Sequence, residues 1–375
     1  DVSGSFLATT ANVLEFADNQ KFAATGDRQV PLVEVNIPIG LQMGNDAPAM
    51  LRNEGNLAVG PGQNLSLIGG TTTSSGSLTA SGGTVQVLGK QVNLVDQARI
   101  DVSSPTGGGT VLVGGDYLGQ GSLLNAQQTF VGSGVAINAD ATTQGNGGKV
   151  IVWADGNTYF SGAISARGGL FGGNGGFVET SGKQALTVTG NALVNVGTFQ
   201  GEAGNWLLDP RSITIVNDAT NTETVATVNA AAADVDSFIH FGAINTALGS
   251  GNVTLTATNF ITVSNGTSLS IPANTTLNLN ASTVNLLAPI AYVGPNSVLA
   301  GTPTTVSVSS GASIQNGVDV AASGATLTVN AGTYTENVTI GKNLNLASSG
   351  GVIDLTGNLI ASNSIGISGS LRSTG

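Results

Sequence analysis

The sequence predicts an all-β fold, a parallel β-helix, and three observations indicate it. First, two glycines followed by an alternating apolar triplet recur at Gly82, Gly108, Gly147 and Gly175, in steps of 26, 39 and 28 residues. Second, a shorter apolar triplet precedes each copy. Third, charged residues make up only 9% of the chain, and Gly, Asn, Thr and Ser replace them. A supersecondary unit that returns at this period is typical of a solenoid, in which each coil packs on its neighbours.

The two glycines and the apolar triplet that follows them, here called the repeated phrase, also predict which side chains face the core. Side chains alternate along a strand, so the two valines of a copy share the inward face. Leu112, Ile151, Trp153 and Phe177 then face outward, and stacked coils bring them close together. Exposed apolar patches of this size are unusual on soluble proteins. The extra length of the 39-residue step, residues 115–134, predicts a segment that covers the patch.

The alternative is that the patch remains open and binds a partner or a sugar. Aromatic rings supply flat apolar area with a polar handle, which suits stacking on a sugar. The candidate contact residues under this hypothesis are Trp153, Tyr159, Leu112, Ile151 and Phe177.

The second half of the chain carries denser triplets. They begin at Val253, Ile261, Leu269, Leu277 and Val284, at steps of 8, 8, 8 and 7 residues. Three short strands per coil, at about 23 residues per coil, are typical of a parallel β-helix. The same solenoid is therefore predicted to continue to the end of the chain.

One or two short helices are predicted near 225–248. A 3.6-residue apolar spacing indicates the first helix, with the positions Val228, Ala231, Ala232, Val235, Phe238 and Ile239. The second is predicted over Ala243–Leu248, ending at Gly249. Near the start of the chain, a strand is predicted over Val33–Ile37, ending at Pro38, within an excursion from the helix.

These shifts in pattern predict four segments. Residues 1–150 form the first β-helix domain. Residues 151–216 continue the glycine-rich coils to a Trp-Leu-Leu-Asp-Pro segment that places Trp206 in the core. Residues 217–250 are a partly helical interruption, and residues 251–375 are a second β-helix stretch.

Charge and composition exclude several classes of function. The net charge is −11 and no run of Lys or Arg is present, so nucleic-acid binding is not expected. No apolar run approaches 20 residues, so no transmembrane helix is expected. The absence of cysteine excludes thiolate metal sites and disulfides. It also suits export through a pore in an unfolded state. Because the chain opens on Asp1, we expect it to be a processed or excised piece.

Candidate chemistry is sparse. The lone histidine, His240, has no second histidine nearby with which to build a zinc site or a catalytic triad, so a structural role is expected. Carboxylates on successive coils could pair for acid–base work, and the conceivable pairs are Asp140 with Asp155 and Asp101 with Asp116. With so few charges, we predict no catalytic, cofactor or metal site and no enzymatic activity.

Several segments resemble a known family. Residues 3–11 (Ser-Gly-Ser-Phe-Leu-Ala-Thr-Thr-Ala) and 35–41 (Val-Asn-Ile-Pro-Ile-Gly-Leu) resemble the later part of the secretion domain of large filamentous-haemagglutinin-like exoproteins, which are bacterial two-partner-secretion proteins. Residues 173–182 (Gly-Asn-Gly-Gly-Phe-Val-Glu-Thr-Ser-Gly) and 206–215 are similar to the stretch that follows that domain. The amino-acid sequence of these segments resembles the cyanobacterial branch of the family. The Asn-Pro-Asn-Gly motif expected early in the domain is absent, so we expect the chain to start inside it. Residues 332–340 resemble a phrase common in right-handed β-helices.

The resemblance implies a right-handed parallel β-helix that a partner transporter, a β-barrel in the outer membrane, exports. It further implies a secreted, extracellular protein at the bacterial cell surface, with an adhesive, matrix or filament role. Two alternatives stay open. One is a carbohydrate-active enzyme on a β-helix, acting as a polysaccharide lyase or hydrolase. The other is a fibre subunit that polymerises end to end.

Overall fold

The computed structural model describes residues 3–15, 21–23, 40–42, 49–218, 225 and 236–374. In these residues the chain winds into a parallel β-helix with three sheets, here named A, B and C, each of which takes one strand from successive coils. The predicted fold class is confirmed.

Sheet A has ten strands, all parallel. In spatial order they are β1 (Phe6–Thr9), β7 (Asn64–Ile68), β10 (Thr84–Leu88), β13 (Thr110–Val113), β16 (Lys149–Ala154), β19 (Phe177–Gly182), β22 (Asn205–Leu208), β25 (Asn252–Thr256), β28 (Thr276–Asn280) and β31 (Val298–Gly301).

Sheet B has fourteen strands. In spatial order they are β5 (Met50–Asn53), β8 (Thr71–Ser74), β11 (Gln91–Leu94), β14 (Gln128–Val131), β17 (Asn157–Phe160), β20 (Ala185–Val188), β24 (Phe238–His240), β23 (Ile213–Val216), β26 (Phe260–Val263), β29 (Thr283–Leu286), β32 (Thr305–Val308), β33 (Thr326–Tyr334), β35 (Leu344–Leu355) and β37 (Ile365–Ser373).

Sheet C forms the third side of the early coils with six strands. They are β6 (Asn56–Ala58), β9 (Ser77–Thr79), β12 (Arg99–Asp101), β15 (Ala136–Asn138), β18 (Ala163–Ser165) and β21 (Leu193–Asn195). Later coils close the same side with two parallel pairs, β27 (Leu269–Pro272) with β30 (Ile290–Val293) and β34 (Val338–Ile340) with β36 (Leu359–Ala361). Outside the helix, β2 (Val13–Glu15) pairs antiparallel with β3 (Lys21–Ala23) and β4 (Gly40–Gln42).

The repeated phrase forms the inner ladder of sheet A. Val85 pairs with Val111, Val111 with Val150, Val150 with Val178, and Val178 with Trp206. All five side chains are fully buried in one continuous core. The predicted inward face and the predicted core position of Trp206 are confirmed.

The second glycine of the phrase allows close backbone stacking between coils. A Cβ on Gly109 would lie 2.3 Å from the carbonyl oxygen of Gly83, and a Cβ on Gly148 would lie 2.1 Å from that of Gly109. The contact repeats at Gly176, whose Cβ would lie 2.3 Å from the carbonyl oxygen of Gly148. Of the paired glycines, only Gly82 has a positive φ, of 64°. Close approach between coils, rather than left-handed backbone, therefore explains most of the repeat.

Two α-helices bridge strands on the third side, α1 (Phe241–Leu248) and α2 (Ile314–Val320). The helix α1 packs between β21 and β27 and ends at Gly249, which confirms the second predicted helix. The first predicted helix is wrong at its end, because Phe238 and Ile239 lie in β24. Ile239 pairs with Val188 and Ile215 and is fully buried, so core packing within sheet B outweighs the local 3.6-residue spacing. The residues from Val228 to Val235, and the predicted strand Val33–Ile37, lie outside the described residues.

Candidate functional site

A segment between β13 and β14 lies over the outward face of sheet A. We name residues 114–127 the cover segment. Beneath it, Leu112, Ile151 and Trp153 form a buried cluster separate from the main core. Leu123 of the cover segment and the half-buried Phe177 pack against this cluster. The prediction that an insertion covers the patch is confirmed, and its centre is not open to a partner.

The indole of Trp153 is the centre of this contact. The backbone of Gly119 packs closely against the indole ring, so that a Cβ atom on Gly119 would be 2.5 Å from the ring carbon Cε2 of Trp153. The indole N–H donates to Asp155 Oδ1 at 3.1 Å. Asn125 Nδ2 donates to the same carboxyl oxygen at 3.2 Å and to the carbonyl of Gly119 at 2.7 Å. Asp155 therefore joins the wall to the cover segment.

The edge of the cover segment carries an ion pair and an aromatic contact. Lys149 Nζ lies 3.0 Å from Asp116 Oδ1. The ring of Tyr117 meets that of Phe177 edge-on, with centroids 5.6 Å apart. Burial alone would raise the pKa of Asp116, but the Tyr117 N–H and Lys149 together hold it below its ordinary value.

A carboxyl group lies under the cover segment. Glu179 stands in the outward ladder of sheet A between Ile151 and Leu207, and it is fully buried. The backbone N–H of Leu118 donates to its Oε2 at 3.1 Å, while Oε1 has no hydrogen-bond partner in the described residues. Burial raises the pKa of Glu179 to about 7. The hydrogen bonds from the Leu118 N–H and the Ser181 side chain lower this pKa, but burial outweighs them and favours the protonated form.

Asp209 is a second acid near Glu179. It lies one coil further on, past the end of β22, and its backbone N–H donates a hydrogen bond to Ser181 Oγ at 3.0 Å. Burial raises the pKa of Asp209, and its charge adds to the rise of the pKa of Glu179. The charge of Lys149 acts in the opposite direction on Glu179. The two acids thus share one region, but Glu179 is closed off from solvent.

The second candidate aromatic, Tyr159, is also buried. Its ring stacks on Phe130 of the preceding coil, with centroids 5.1 Å apart and planes 5° apart. Val95 and Val225 pack against this pair. Of the five residues of the alternative contact site, Leu112, Ile151, Trp153 and Tyr159 are buried and Phe177 is half-buried, because other side chains of this chain pack on them.

His240 has a structural role at the start of α1. Its Nδ1 accepts a hydrogen bond from the Gly242 N–H at 3.0 Å, and its Nε2 lies 2.9 Å from the carbonyl oxygen of Asn217. This pattern places the proton on Nε2, with Nδ1 as the helix N-cap acceptor. Groups of three or more metal-ligating side chains are absent from the residues that the structure describes.

The acids of the two conceivable carboxylate pairs each have other partners. Asp140 accepts from Ser165 Oγ at 2.6 Å and from Arg167 Nη2 at 2.8 Å. Asp155 binds Trp153 and Asn125, as above. Asp101 accepts from the Ser103 N–H at 2.9 Å, whereas Asp116 binds Lys149. Each of these acids stabilises a local contact.

Sequence reasoning missed Glu179 and Asp209. A signal was present, because Glu179 occupies the outward position of its phrase, in register with Leu112 and Ile151. An acidic residue in register with apolar neighbours, Ile151 on one side and Leu207 on the other, indicates a special environment. The exposed rings Phe171 and Phe199, each about two thirds exposed, were also missed.

The three-sided parallel coils define the described part of the chain as a β-helix solenoid in which the cover segment lies over part of the outer face of sheet A. Residues 1–112 match the family model of the TPS secretion domain. Over these residues the match confirms the resemblance to the secretion domain of two-partner-secretion exoproteins, and this domain indicates a secreted protein whose partner in export is an outer-membrane transporter. A search of curated proteins found no match. Within the described ranges, no helix has the length and hydrophobicity needed to cross a membrane.

Proposed function

We propose that the chain is a structural, adhesive segment of a bacterial cell-surface exoprotein and carries no catalysis. The observation that carries this proposal is that polar side chains of successive coils form hydrogen-bonded ladders on the outward face of sheet B. Thr71 donates to Gln91 at 3.3 Å, and Gln91 donates to Gln128 at 3.2 Å. In a later coil Asn285 donates to Thr262 at 3.2 Å. Such ladders suit an extended scaffold that presents a continuous surface.

The proposal keeps the four segments predicted from the sequence. Residues 1–150 would belong to the secretion-type domain, of which residues 1–112 match the family model. Residues 151–216 and 251–375 would extend the rod, with residues 217–250 as an interruption between them. Surface glycans or matrix are the proposed contacts of the rod.

Attachment of cells tests the adhesive role. Cells that secrete the exoprotein should attach to glycan-coated or abiotic surfaces better than cells from which it has been deleted. Phe171→Ser with Phe199→Ser tests the most exposed aromatic rings, and Met50→Ser is the matched control, since Met50 is 68% exposed on another coil. Equal attachment with and without the exoprotein would overturn the proposal.

One observation favours a carbohydrate-active enzyme as the second candidate: Glu179 and Asp209 are neighbouring acids with raised pKa values. Perturbed acids cluster at catalytic sites. The full burial of Glu179 speaks against this, because a substrate could not reach it while the cover segment is in place. Release of reducing ends or unsaturated products from acidic polysaccharides, lost in Glu179→Gln, would establish the enzyme.

End-to-end polymerisation is the third candidate, and electron microscopy of the purified chain decides it. Rods much longer than one chain would support a fibre subunit. Short particles of uniform length would exclude it.

A further inference from the structure

We propose that residues 114–127 are a proton-controlled cover, closed over the outer face of sheet A while Glu179 is protonated and released when Glu179 ionises. The apolar cluster of Leu112, Ile151 and Trp153, together with Phe177, becomes accessible on release. This inference does not depend on the adhesive role.

The first observation is the position of Glu179 at the contact between the two layers. Its side chain belongs to the wall, and its hydrogen-bond donor, the N–H of Leu118, belongs to the cover segment. Leu118 has a left-handed backbone, with φ of 54° and ψ of 24°, which is uncommon for a residue with a branched side chain. The cover segment is thus bent so that this N–H reaches the acid.

The second observation is that the closed site is suited to an uncharged carboxyl. Glu179 is fully buried, its hydrogen bonds come from the Leu118 N–H and the Ser181 side chain, and its Oε1 has no partner among the described residues. An ionised carboxylate in such a place is costly unless several donors or a cation compensate. Opening of the cover segment admits water, which removes that cost.

The charged groups around Glu179 set the direction of the effect. On the wall, Asp209 disfavours its ionisation and Lys149 favours it. On the cover segment, Asp116 is paired with Lys149 and so offsets part of that positive charge. Asp155 lies at the opposite anchor, bound to Trp153 and Asn125. Among these acids, Glu179 is the one that is both fully buried and hydrogen-bonded to the backbone of the cover segment, so its ionisation bears most directly on the closure.

The sign follows from the raised pKa of Glu179. A carboxyl that holds its proton more tightly when buried stabilises the closed form below its ordinary pKa of 4.5. That contribution is lost as the pH rises through about 7. The equilibrium constant for opening should therefore increase by on the order of 100-fold between pH 4.5 and pH 8.5.

Acrylamide quenching of tryptophan fluorescence measures the opening in the full chain. The chain has two tryptophans. Trp153 lies under the cover segment, whereas Trp206 is in the main core, and a Trp153→Phe variant supplies the signal of Trp206 alone. The quenching of Trp153 should rise several-fold from pH 5 to pH 8.5, with a midpoint near pH 7. A flat profile overturns the proposal.

Variants separate Glu179 from other acids. Glu179→Gln keeps an oxygen that accepts from the Leu118 N–H but cannot ionise, so its quenching should stay low throughout. Glu202→Gln, at an exposed acid, should follow the wild-type profile. The same pH transition in Glu179→Gln as in the wild type would refute the mechanism.

A further variant keeps the test decisive if Glu179→Gln does not fold. Asp209→Asn removes a like charge, so the midpoint should move to lower pH. An unchanged midpoint counts against the proposal. Because the chain has no cysteine, a spin label on Ser122→Cys gives an independent measure of the mobility of the cover segment, and it should increase over the same pH range.

Discussion

The carbonyl oxygen of Gly109 lies 2.1 Å from the position that a Cβ atom on Gly148 would occupy. These residues are 39 positions apart in the sequence and belong to equivalent corners of successive coils. The pairing of β13 with β16 carries the two backbones into this contact. Any side chain at Gly148 would therefore force the coils apart or distort the corner.

Gly148→Ala should destabilise the chain by about 1–3 kcal/mol, because the added methyl meets backbone that cannot move without breaking the ladder. Gly341→Ala is the matched control, since nothing lies within 4 Å of the Cβ position there. Urea unfolding followed by circular dichroism measures both. Equal stability of the two variants would contradict the close-packing explanation.

His240→Ala should lower the free energy of unfolding by about 0.5–2 kcal/mol, because α1 loses its N-cap acceptor for the Gly242 N–H. His240→Asn should retain most of the stability, because asparagine is a favourable N-cap residue. Thermal unfolding of the three proteins at one pH makes the comparison. A loss in the asparagine variant as large as in the alanine variant would show that capping is not the reason.

Glu336→Ala should destabilise α2 and the coil that follows it. The Glu336 carboxylate accepts from the Ile314 N–H at 2.7 Å, from the Gln315 N–H at 3.0 Å and from Ser313 Oγ at 2.8 Å. Loss of these bonds should cost about 1–3 kcal/mol. Hydrogen exchange at the first turn of α2 should accelerate in the variant. Glu336→Gln keeps one acceptor oxygen, so the hydrogen-exchange rate of its α2 amides should lie between the rates of the wild type and of Glu336→Ala.

Thr180→Val should cost about 1–3 kcal/mol, because it removes the acceptor for a buried N–H. The Trp206 indole N–H donates to Thr180 Oγ1 at 2.9 Å, and both side chains are fully buried. Thr180→Ser keeps the hydroxyl and is the control. The fluorescence maximum of Trp206, measured in a Trp153→Phe background, should shift only in the valine variant, and a shift of similar size in the serine variant would argue against the hydrogen bond.

The stability of the whole chain should fall as the pH rises from 4.5 to above 7. The folded form holds the protons of Glu179 and Asp209 more tightly than the unfolded chain does, because burial raises both pKa values. A rise of the Glu179 pKa from 4.5 to about 7 corresponds to about 3 kcal/mol. The pKa of Asp116 is lowered, so its ionised form stabilises the folded chain, and that stabilisation is lost only as the pH falls below its ordinary pKa of 3.8.

Denaturant unfolding at several pH values measures this dependence, and the difference between wild type and Glu179→Gln isolates the contribution of Glu179. The two proteins should be similarly stable near pH 4.5, and Glu179→Gln should become the more stable of the two as the pH rises through about 7 and the wild type loses stability. A constant difference from pH 4.5 to pH 8.5 would show that Glu179 does not titrate in this range.

Much of the fold was predictable because the β-helix repeats its local pattern. The alternation of Val111, Leu112 and Val113 specifies an inward and an outward face, and the spacing of glycines marks the corners. The helix α1 was also predicted, over Ala243–Leu248, with Gly249 as the residue that ends it. Ile239 was not, because its place in β24 depends on partners in β20 and β23 that lie far away in the sequence.

The sequence alone determined the class of fold, the inward valines, the core position of Trp206 and the need for a cover over Leu112 and Ile151. These follow from local alternation and from the cost of exposing apolar surface. Only the tertiary structure decided which atoms meet under the cover. The contact of Glu179 with the Leu118 N–H joins residues 61 positions apart, and the burial that raises the pKa of Glu179 exists only after the coils have stacked and the cover segment has folded over them.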